Sequence, residues 1–369
     1  MEIVLLEPFL VGSHAAWANG YAAHSRHKVT ILGLEGKYWK WRMHGGAVSL
    51  AKQFHALGLR PALLLATDML DLTTFLALTR EVTADIPVAL YMHENQLSYP
   101  WSPSDADPDL KRDAHYCFIN YSSALAADAV LFNSDYHREA FLGQLPSFLQ
   151  TFPDNNEIDS IGLIAEKSST LHLGLDLRKF DVYKPAGDER CGKPPLILWN
   201  HRWEYDKNPD EFFRALFLLQ EQGVDFELVV LGESYQKQPA IFAEAQQRLE
   251  RQIVHWGYAE SIADYARWLW QADILPVTSI HDFFGISVVE AIYCGCRPLL
   301  PKRLAYPEHL PPEFHKECLY SGFDSFFARL RQLLAAAGKD TSQLSSCVQR
   351  YDWSQIVSDY DNLFSEMTR

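Results

Sequence analysis

Two carboxylates and a glycine mark the most chemically suggestive stretch of the chain. In HDFFGISVVEAIYCGCRPLLP, His281 to Pro301, Asp282 and Glu290 stand eight residues apart, with Phe283, Phe284 and Gly285 between them. A glycine just ahead of an apolar helix leaves the first backbone N–H groups unpaired, and the positive end of the helix dipole suits a phosphate. Glu290, about one turn into that helix, can accept from vicinal hydroxyls such as those of a ribose. Asp282, on the loop, can accept from the hydroxyls of a second sugar. The bare spacing also fits a strand, a loop and a buried helix with a glycine packing contact, because two acids eight positions apart specify little.

A second stretch, LWNHRWEYDKNPDEFF, places Arg202 and Lys207 directly after the apolar run Leu196 to Trp199. Open α/β sheets bind ligands at the carboxyl ends of their strands. A guanidinium that forks onto two oxygens and an ammonium acting as a point charge would together neutralise a diphosphate leaving group without a metal. The competing reading pairs the two cations with Glu204 and Asp206 on the surface, where such pairs contribute little.

A third stretch differs in charge. Pro8 to Thr67 carries seven Lys or Arg and one acid, Glu35, in a chain whose formal net charge is -14. Within it, GKYWKWRMHGG interleaves Lys37, Lys40 and Arg42 with Tyr38, Trp39 and Trp41. Cations that hold phosphates beside aromatic faces that stack on splayed bases are the means by which single-stranded RNA loops are bound. An edge element with core aromatics and a solvated cationic face explains the same pattern. His14, His24, His27, His44 and His55 can add positive charge below neutral pH.

These groups need a frame of some size. The chain has 369 residues, is 48% hydrophobic and 22% charged, and so predicts a globular protein of two domains rather than a disordered or low-complexity one. Its acidic balance excludes a surface that grips nucleic acid everywhere, so any RNA contact must be local. Six scattered cysteines, Cys117, Cys191, Cys294, Cys296, Cys318 and Cys347, lack metal-site spacing. They predict reduced thiols, a cytoplasmic setting and no structural zinc. Glu2 and Glu7, without a basic leader region, predict a first strand rather than a secretory signal. No run is long and apolar enough to cross a bilayer.

Short apolar runs recur at helix-length intervals: Ile3 to Leu6, Val29 to Leu34, Leu63 to Ala66, Val88 to Met92, Ala129 to Phe132 and Thr170 to Leu173. Parallel strands need such long crossovers, so the pattern predicts a parallel sheet with helices on both faces. A polar, turn-rich stretch from Lys184 to Pro194 predicts a linker. A second series follows at Leu196 to Trp199, Phe226 to Leu231, Gln252 to His255, Ile274 to Val277 and Pro298 to Pro301. Asp210 to Gly223, Asp324 to Ala337 and Trp353 to Met367 read as helices. The expected division is a first α/β domain over 1–184, a second over 195–345, and a closing helix over 346–369 that packs back on the first.

The order Arg202, Lys207, LGESY, HWGY, ADILPVTS and then the Asp282 to Glu290 segment resembles the second domain of GT-B glycosyltransferases of family 4, which retain configuration. EPFLVGSH, KYWKWR, ATDMLDL, YMHENQLSYP, FNSDYHREAFL and NHRWEYDKNP resemble a narrower group, the tRNA-queuosine mannosyltransferases, over about residues 1 to 310. The resemblance implies a GT-B fold, two Rossmann-like α/β/α domains facing across a cleft. It implies a cytoplasmic, monomeric, metal-free enzyme that needs no cofactor and transfers mannose from GDP-mannose to queuosine in tRNA-Asp. Carried across by position, Arg202 and Lys207 bind the donor diphosphate, Glu290 the ribose, and Asp282 with the backbone of Phe283, Phe284 and Gly285 the transferred sugar. His93 stands beside the scissile bond, and Gly12 and Ser13 lie near the phosphates. Lys37, Trp39, Lys40, Trp41 and Arg42 become the tRNA contact. Same-face attack, with the leaving phosphate taking the acceptor proton, requires no protein nucleophile, so Glu94 is not expected to be one. Asp282 departs from the Glu that many family 4 enzymes carry there, one methylene shorter with the same charge. Two alternatives remain at this point: a family 4 transferase with a polysaccharide, lipid or small-molecule acceptor, and a catalytically silent nucleotide- or RNA-binding module on the same frame.

Overall fold

A computed structural model describes residues 1–101, 114–187, 190, 192–233, 239–336 and 341–369. Cys191, the Ser234 and Tyr235 of LGESY, and Ala337 at the end of one expected helix lie outside the described residues. The chain divides into two compact units, Met1–Asp176 with Tyr351–Arg369, and Leu177–Arg350. The first boundary thus falls ahead of the turn-rich stretch expected as the linker, which lies within the second unit.

In the first unit, β1 (Glu2–Leu10), β2 (Lys28–Glu35), β3 (Leu63–Thr67), β4 (Val88–Met92), β5 (Ala129–Phe132) and β6 (Ser168–Thr170) form a sheet in the order β2-β1-β3-β4-β5-β6. Every pair is parallel. β3 and β4 are buried at every residue, because helices cover both faces and leave no solvent side on which polar residues could alternate. The first two helices are α1 (Gly12–His24) and α2 (Trp39–Leu57). On α2, Met43, Ala47, Leu50, Ala51 and Phe54 recur at helical spacing and are buried.

The C-terminal helix Trp353–Met367 returns to this unit, as expected. Leu175 donates to the Tyr351 carbonyl and accepts from the Trp353 amide, a short parallel bridge to Asp352. Tyr360 donates to the His172 carbonyl at 2.7 Å, and Trp17 donates to the Tyr360 hydroxyl at 3.1 Å. Asp361, 3% exposed, accepts from Tyr21, Ser25 and the Arg26 amide. Removing that carboxylate would strand three donors at once, each costing about 1–3 kcal/mol if left buried and unpaired.

The second unit repeats the plan with β7 (Leu196–Trp199), β8 (Glu227–Val230), β9 (Ile253–Trp256), β10 (Ile274–Pro276), β11 (Arg297–Pro301) and β12 (Leu319–Tyr320), in the order β12-β11-β10-β7-β8-β9. The helix Pro209–Glu221 packs Phe212, Phe213, Leu216 and Leu219 against it, with Trp199 and Phe242 filling the same core. β12 has two residues and no apolar run of its own, so periodicity gives it no signal. In each sheet the strand order reverses once, between β1 and β3 and between β7 and β10. In open α/β sheets such a reversal is where the loops leaving the strand ends diverge and leave a crevice.

Candidate functional site

The crevice of the second unit is lined by the loops after β7 and β10, and these carry the residues singled out by sequence. Lys207 is buried, and its Nζ lies 3.1 Å from Asp206 Oδ2 and 3.4 Å from Asp282 Oδ2, while donating to the His281 carbonyl at 3.0 Å. Burial alone would lower the ammonium pKa; Asp282 and Asp206 reverse that and hold it raised. Burial likewise opposes ionisation of Asp282, and Lys207 outweighs it, so the carboxyl sits below its ordinary range. Tyr306 donates to the same Asp282 oxygen at 3.2 Å. Asp282 and Lys207 are therefore one ion-paired group, with Asp206 buried beneath it.

Arg202 is more exposed, and its guanidinium meets Glu204 at 3.2 Å. The surface pairing weighed from sequence is thus present for Arg202, whereas for Lys207 the pairing is internal. A half-exposed pair contributes little to stability, so Arg202 can exchange Glu204 for a diphosphate at small cost. Gly285, in a left-handed conformation at φ 89°, starts the helix Ile286–Tyr293, and no side chain caps that end. A Cβ at 285 would lie 3.0 Å from Tyr306, so both the turn and the space favour glycine. Phe283 and Phe284 are buried and pack on His281 and His309 rather than facing solvent, so the backbone of this loop is what a ligand meets.

Glu290 lies on that helix, accepting from Tyr265 at 2.8 Å and standing 3.5 Å from Lys179. Burial raises its pKa against the pull of Lys179. Sequence reasoning passed over His201. Its Nδ1 lies 3.0 Å from Ser287 Oγ, its Nε2 is buried without a partner, and burial beside Lys207 lowers its pKa to about 4. It is a neutral imidazole with one nitrogen held and one available. Its carbonyl is met by Gly232, where any side chain would collide with it.

In the first unit the crevice lies between the ends of β1 and β3. Glu7, fully buried, accepts from His14 Nδ1 at 3.0 Å and from the Phe9 amide at 2.9 Å. His14 packs 4.4 Å from the His93 ring, and Trp17 meets His93 edge-on at 4.6 Å. Asp68, just past β3, accepts from the His93 amide at 2.7 Å. Burial would lower the His14 pKa, and Glu7 overrides it, holding the imidazole at about 9. His93 is pushed the other way, by burial and by the charges of His14 and His137, and its Nε2 is buried without a partner. Burial also raises Asp68. The expected His93 thus stands as a neutral imidazole next to a cationic one. Glu7, His14 and His93 each bring a donor atom within 4.8 Å of the others, but the Glu7–His14 contact fills that space with a proton. Gly12, at φ 54°, and Ser13 are exposed at the start of α1 beside this group.

The basic, aromatic segment divides. Trp39 faces inward, against Tyr116 at 5.2 Å and Trp101 at 6.2 Å, with Lys40 Nζ lying over both Trp39 and Trp101. Trp39 is half-buried and packs against a small core that includes Met43 and Met69, so part of its ring is taken up by the fold. Trp41 does face solvent, 63% exposed, and so does Tyr38, 79% exposed, which the expectation omitted. Arg42 donates to the Glu35 carbonyl at 3.0 Å, and Lys37 pairs with Glu35.

Residues 2–175 match the family model described as tRNA-queuosine alpha-mannosyltransferase N-terminal, and residues 186–342 match glycosyl transferases group 1. The chain is 33% identical over 341 residues to the tRNA-queuosine alpha-mannosyltransferase of Drosophila melanogaster, spanning 89% of this chain and 86% of that one. The chain belongs to the tRNA-queuosine alpha-mannosyltransferase family. A GDP-mannose-dependent alpha-(1-6)-phosphatidylinositol dimannoside mannosyltransferase of Mycobacterium tuberculosis is 27% identical over 200 residues, 52% of this chain and 45% of that one. Among solved structures, HepE of Anabaena with UDP aligns with a TM-score of 0.66 at 16% identity, covering 99% of this chain and 100% of that chain. Sucrose-phosphate synthase of Thermosynechococcus elongatus aligns at 0.69 and 13%, covering 100% and 99%. The fold is GT-B, and family membership makes the protein a hexosyltransferase. No helix among the described residues is long and apolar enough to cross a membrane.

Proposed function

We propose that this protein transfers mannose from GDP-mannose to the cyclopentene-diol of queuosine in tRNA-Asp, with retained configuration, in the cytoplasm. The observation that carries the acceptor is the match of the whole first unit's main segment, residues 2–175, to a model specific to this family. The donor base and hexose are supported by relatives whose names specify GDP-mannose. Arg202 and the Lys207 ammonium receive the diphosphate, assisted by the uncapped N–H groups after Gly285. Glu290 accepts from the ribose, and Asp282, with the backbone of Phe283 and Phe284, accepts from mannose hydroxyls. The family resemblance assigns Gly12 and Ser13 to the donor phosphates and His93 to the transferred sugar.

Charge develops on the diphosphate as the glycosidic bond lengthens, so cations aimed there lower the barrier more than they stabilise bound substrate. The departing phosphate oxygen takes the proton of the attacking hydroxyl on the same face, and configuration is kept without a covalent enzyme intermediate. The mechanism calls on neither a metal nor a cofactor. The test is nucleoside mass spectrometry after incubation with GDP-mannose and either queuosine-containing or queuosine-free tRNA. A hexose added only to queuosine is expected. Transfer to neither tRNA, accompanied by transfer to a polyprenyl or glycan acceptor, would refute the reading.

A further inference from the structure

Within unit one, the turn ahead of α2 is fastened to the loop that carries Gly12, Ser13 and His14. Gly36 packs so closely on Val11 that no Cβ could stand there, and a Cβ at Gly46 would lie 2.8 Å from Pro8. Phe9 packs with Trp39 in the same small core. The start of α2 is therefore held rigidly beside the crevice that contains His93.

At that start, two large aromatic side chains point away from the core. Tyr38 sits in a left-handed backbone conformation, φ 54° and ψ 57°, an uncommon state for a bulky residue, and its carbonyl accepts from the Trp41 and Arg42 amides. Trp41 folds back along α2 onto Gly45, one turn on. A Cβ at 45 would fall 2.7 Å from indole atoms Cε2 and Cζ2, so a larger residue there would displace the indole from this seat. A side chain held by its own helix loses less freedom on binding than a mobile one. Exposed rings of this size cost solubility and contribute nothing to the core. Beside them in sequence stand Lys37, Lys40 and Arg42 with one acid, Glu35, in a chain of net charge -14. Lys52, on the exposed stripe of α2, extends that face.

We infer that Tyr38 and Trp41 form a stacking lip for unpaired bases of an RNA loop, with Gly45 as the seat that positions the indole. The inference rests on the acceptor being an RNA and specifies where the nucleotides next to the modified one are held. Aromatic faces are sequence-tolerant, so the lip contributes affinity for splayed bases rather than a base code. Trp39 and Lys40 stiffen it from behind and do not touch the RNA.

The test titrates a fluorescent, unmodified anticodon stem-loop into the full chain by anisotropy at several salt concentrations. Trp41→Ala, Tyr38→Asn and Gly45→Val should each weaken binding roughly tenfold, the order expected for one lost stacking contact. The salt slope should not change, because no phosphate contact is lost. Tyr38→Asn should keep or raise the melting temperature, since Asn tolerates the left-handed conformation better than Tyr. Wild-type binding to a blunt RNA duplex should be weak. Unaltered stem-loop affinity in Trp41→Ala and Tyr38→Asn, equal binding to the duplex, or self-association of the wild type that Trp41→Ala abolishes would overturn the lip. Mannosylation of queuosine-containing tRNA by the wild type, run in parallel, keeps this separate from the functional proposal: product with unaffected variants sinks the lip alone, and no product sinks the acceptor assignment.

Discussion

The two crevices share a plan and differ in what fills it. Both lie where a parallel six-stranded sheet reverses its strand order, at β1/β3 and at β7/β10. In the second unit the buried groups form a cation held by two carboxylates, Lys207 with Asp206 and Asp282, and a guanidinium waits nearby. In the first, the buried groups are imidazoles and acids, Glu7, His14, Asp68 and His93, with no Lys or Arg among them. The second unit's set brings cations to the strand ends, which fits the proposed diphosphate. The other is built to hold protons and a neutral ring in fixed places. The same frame therefore serves two tasks, and the difference lies in a few side chains at strand ends.

The largest effect should come from Lys207→Ala. It removes the charge proposed to meet the diphosphate and leaves Asp206 and Asp282 buried without their cation, a loss that typically costs about 3–5 kcal/mol. Turnover should fall by more than about 100-fold, and the melting temperature should drop with it; retention of either would break the assignment of this ion-paired group. Arg202→Ala sharpens the contrast, because Arg202 is half exposed and its pair with Glu204 stabilises little. Mannosyl transfer should fall by on the order of 100-fold, equivalent to ~3 kcal/mol, while thermal stability stays near that of the wild type.

In the first unit the signature should be pH-dependence. His14 is held at about 9, above its unfolded value of 6.5, so its contribution to stability is complete below pH 6.5 and disappears as pH rises through about 9. Asp68, also raised, favours the folded state in the same direction. Melting temperature should therefore decline from pH 6.5 to pH 9. Glu7→Gln should lower it at pH 6.5 and flatten the decline, and an unaltered slope would show that the pair does not carry it. Trp39→Ala should act on stability, by about 3 kcal/mol if the site cannot collapse, and a protein as stable as wild type would place Trp39 outside the core. The smallest change is expected from EDTA, which should leave mannosyl transfer intact.

Much of this was legible in sequence. The alternation of apolar runs with helix-length gaps predicts both sheets; Arg202 and Lys207 stand out because they follow directly on a buried strand, and Asp282 and Glu290 because they stand before and within a glycine-led apolar helix. What escaped had physical reasons. Glu7 lies inside β1, where a carboxylate breaks no period strongly enough to be noticed. Asp68 and His201 follow apolar strands, a signal available in ATDML and LWNH, but their partners are remote in sequence. The inward turn of Trp39 and the outward turn of Trp41 depend on where α2 begins, and an α2 that starts after a left-handed Tyr38 has no sequence signature.

Calorimetric titration of GDP into the wild type and Arg202→Ala tests the division of labour most directly. The wild type should bind, and Arg202→Ala should bind about 10- to 100-fold more weakly, as expected for loss of charge-assisted hydrogen bonds. Equal affinity in the two proteins would contradict the assignment of donor recognition to the second unit's crevice.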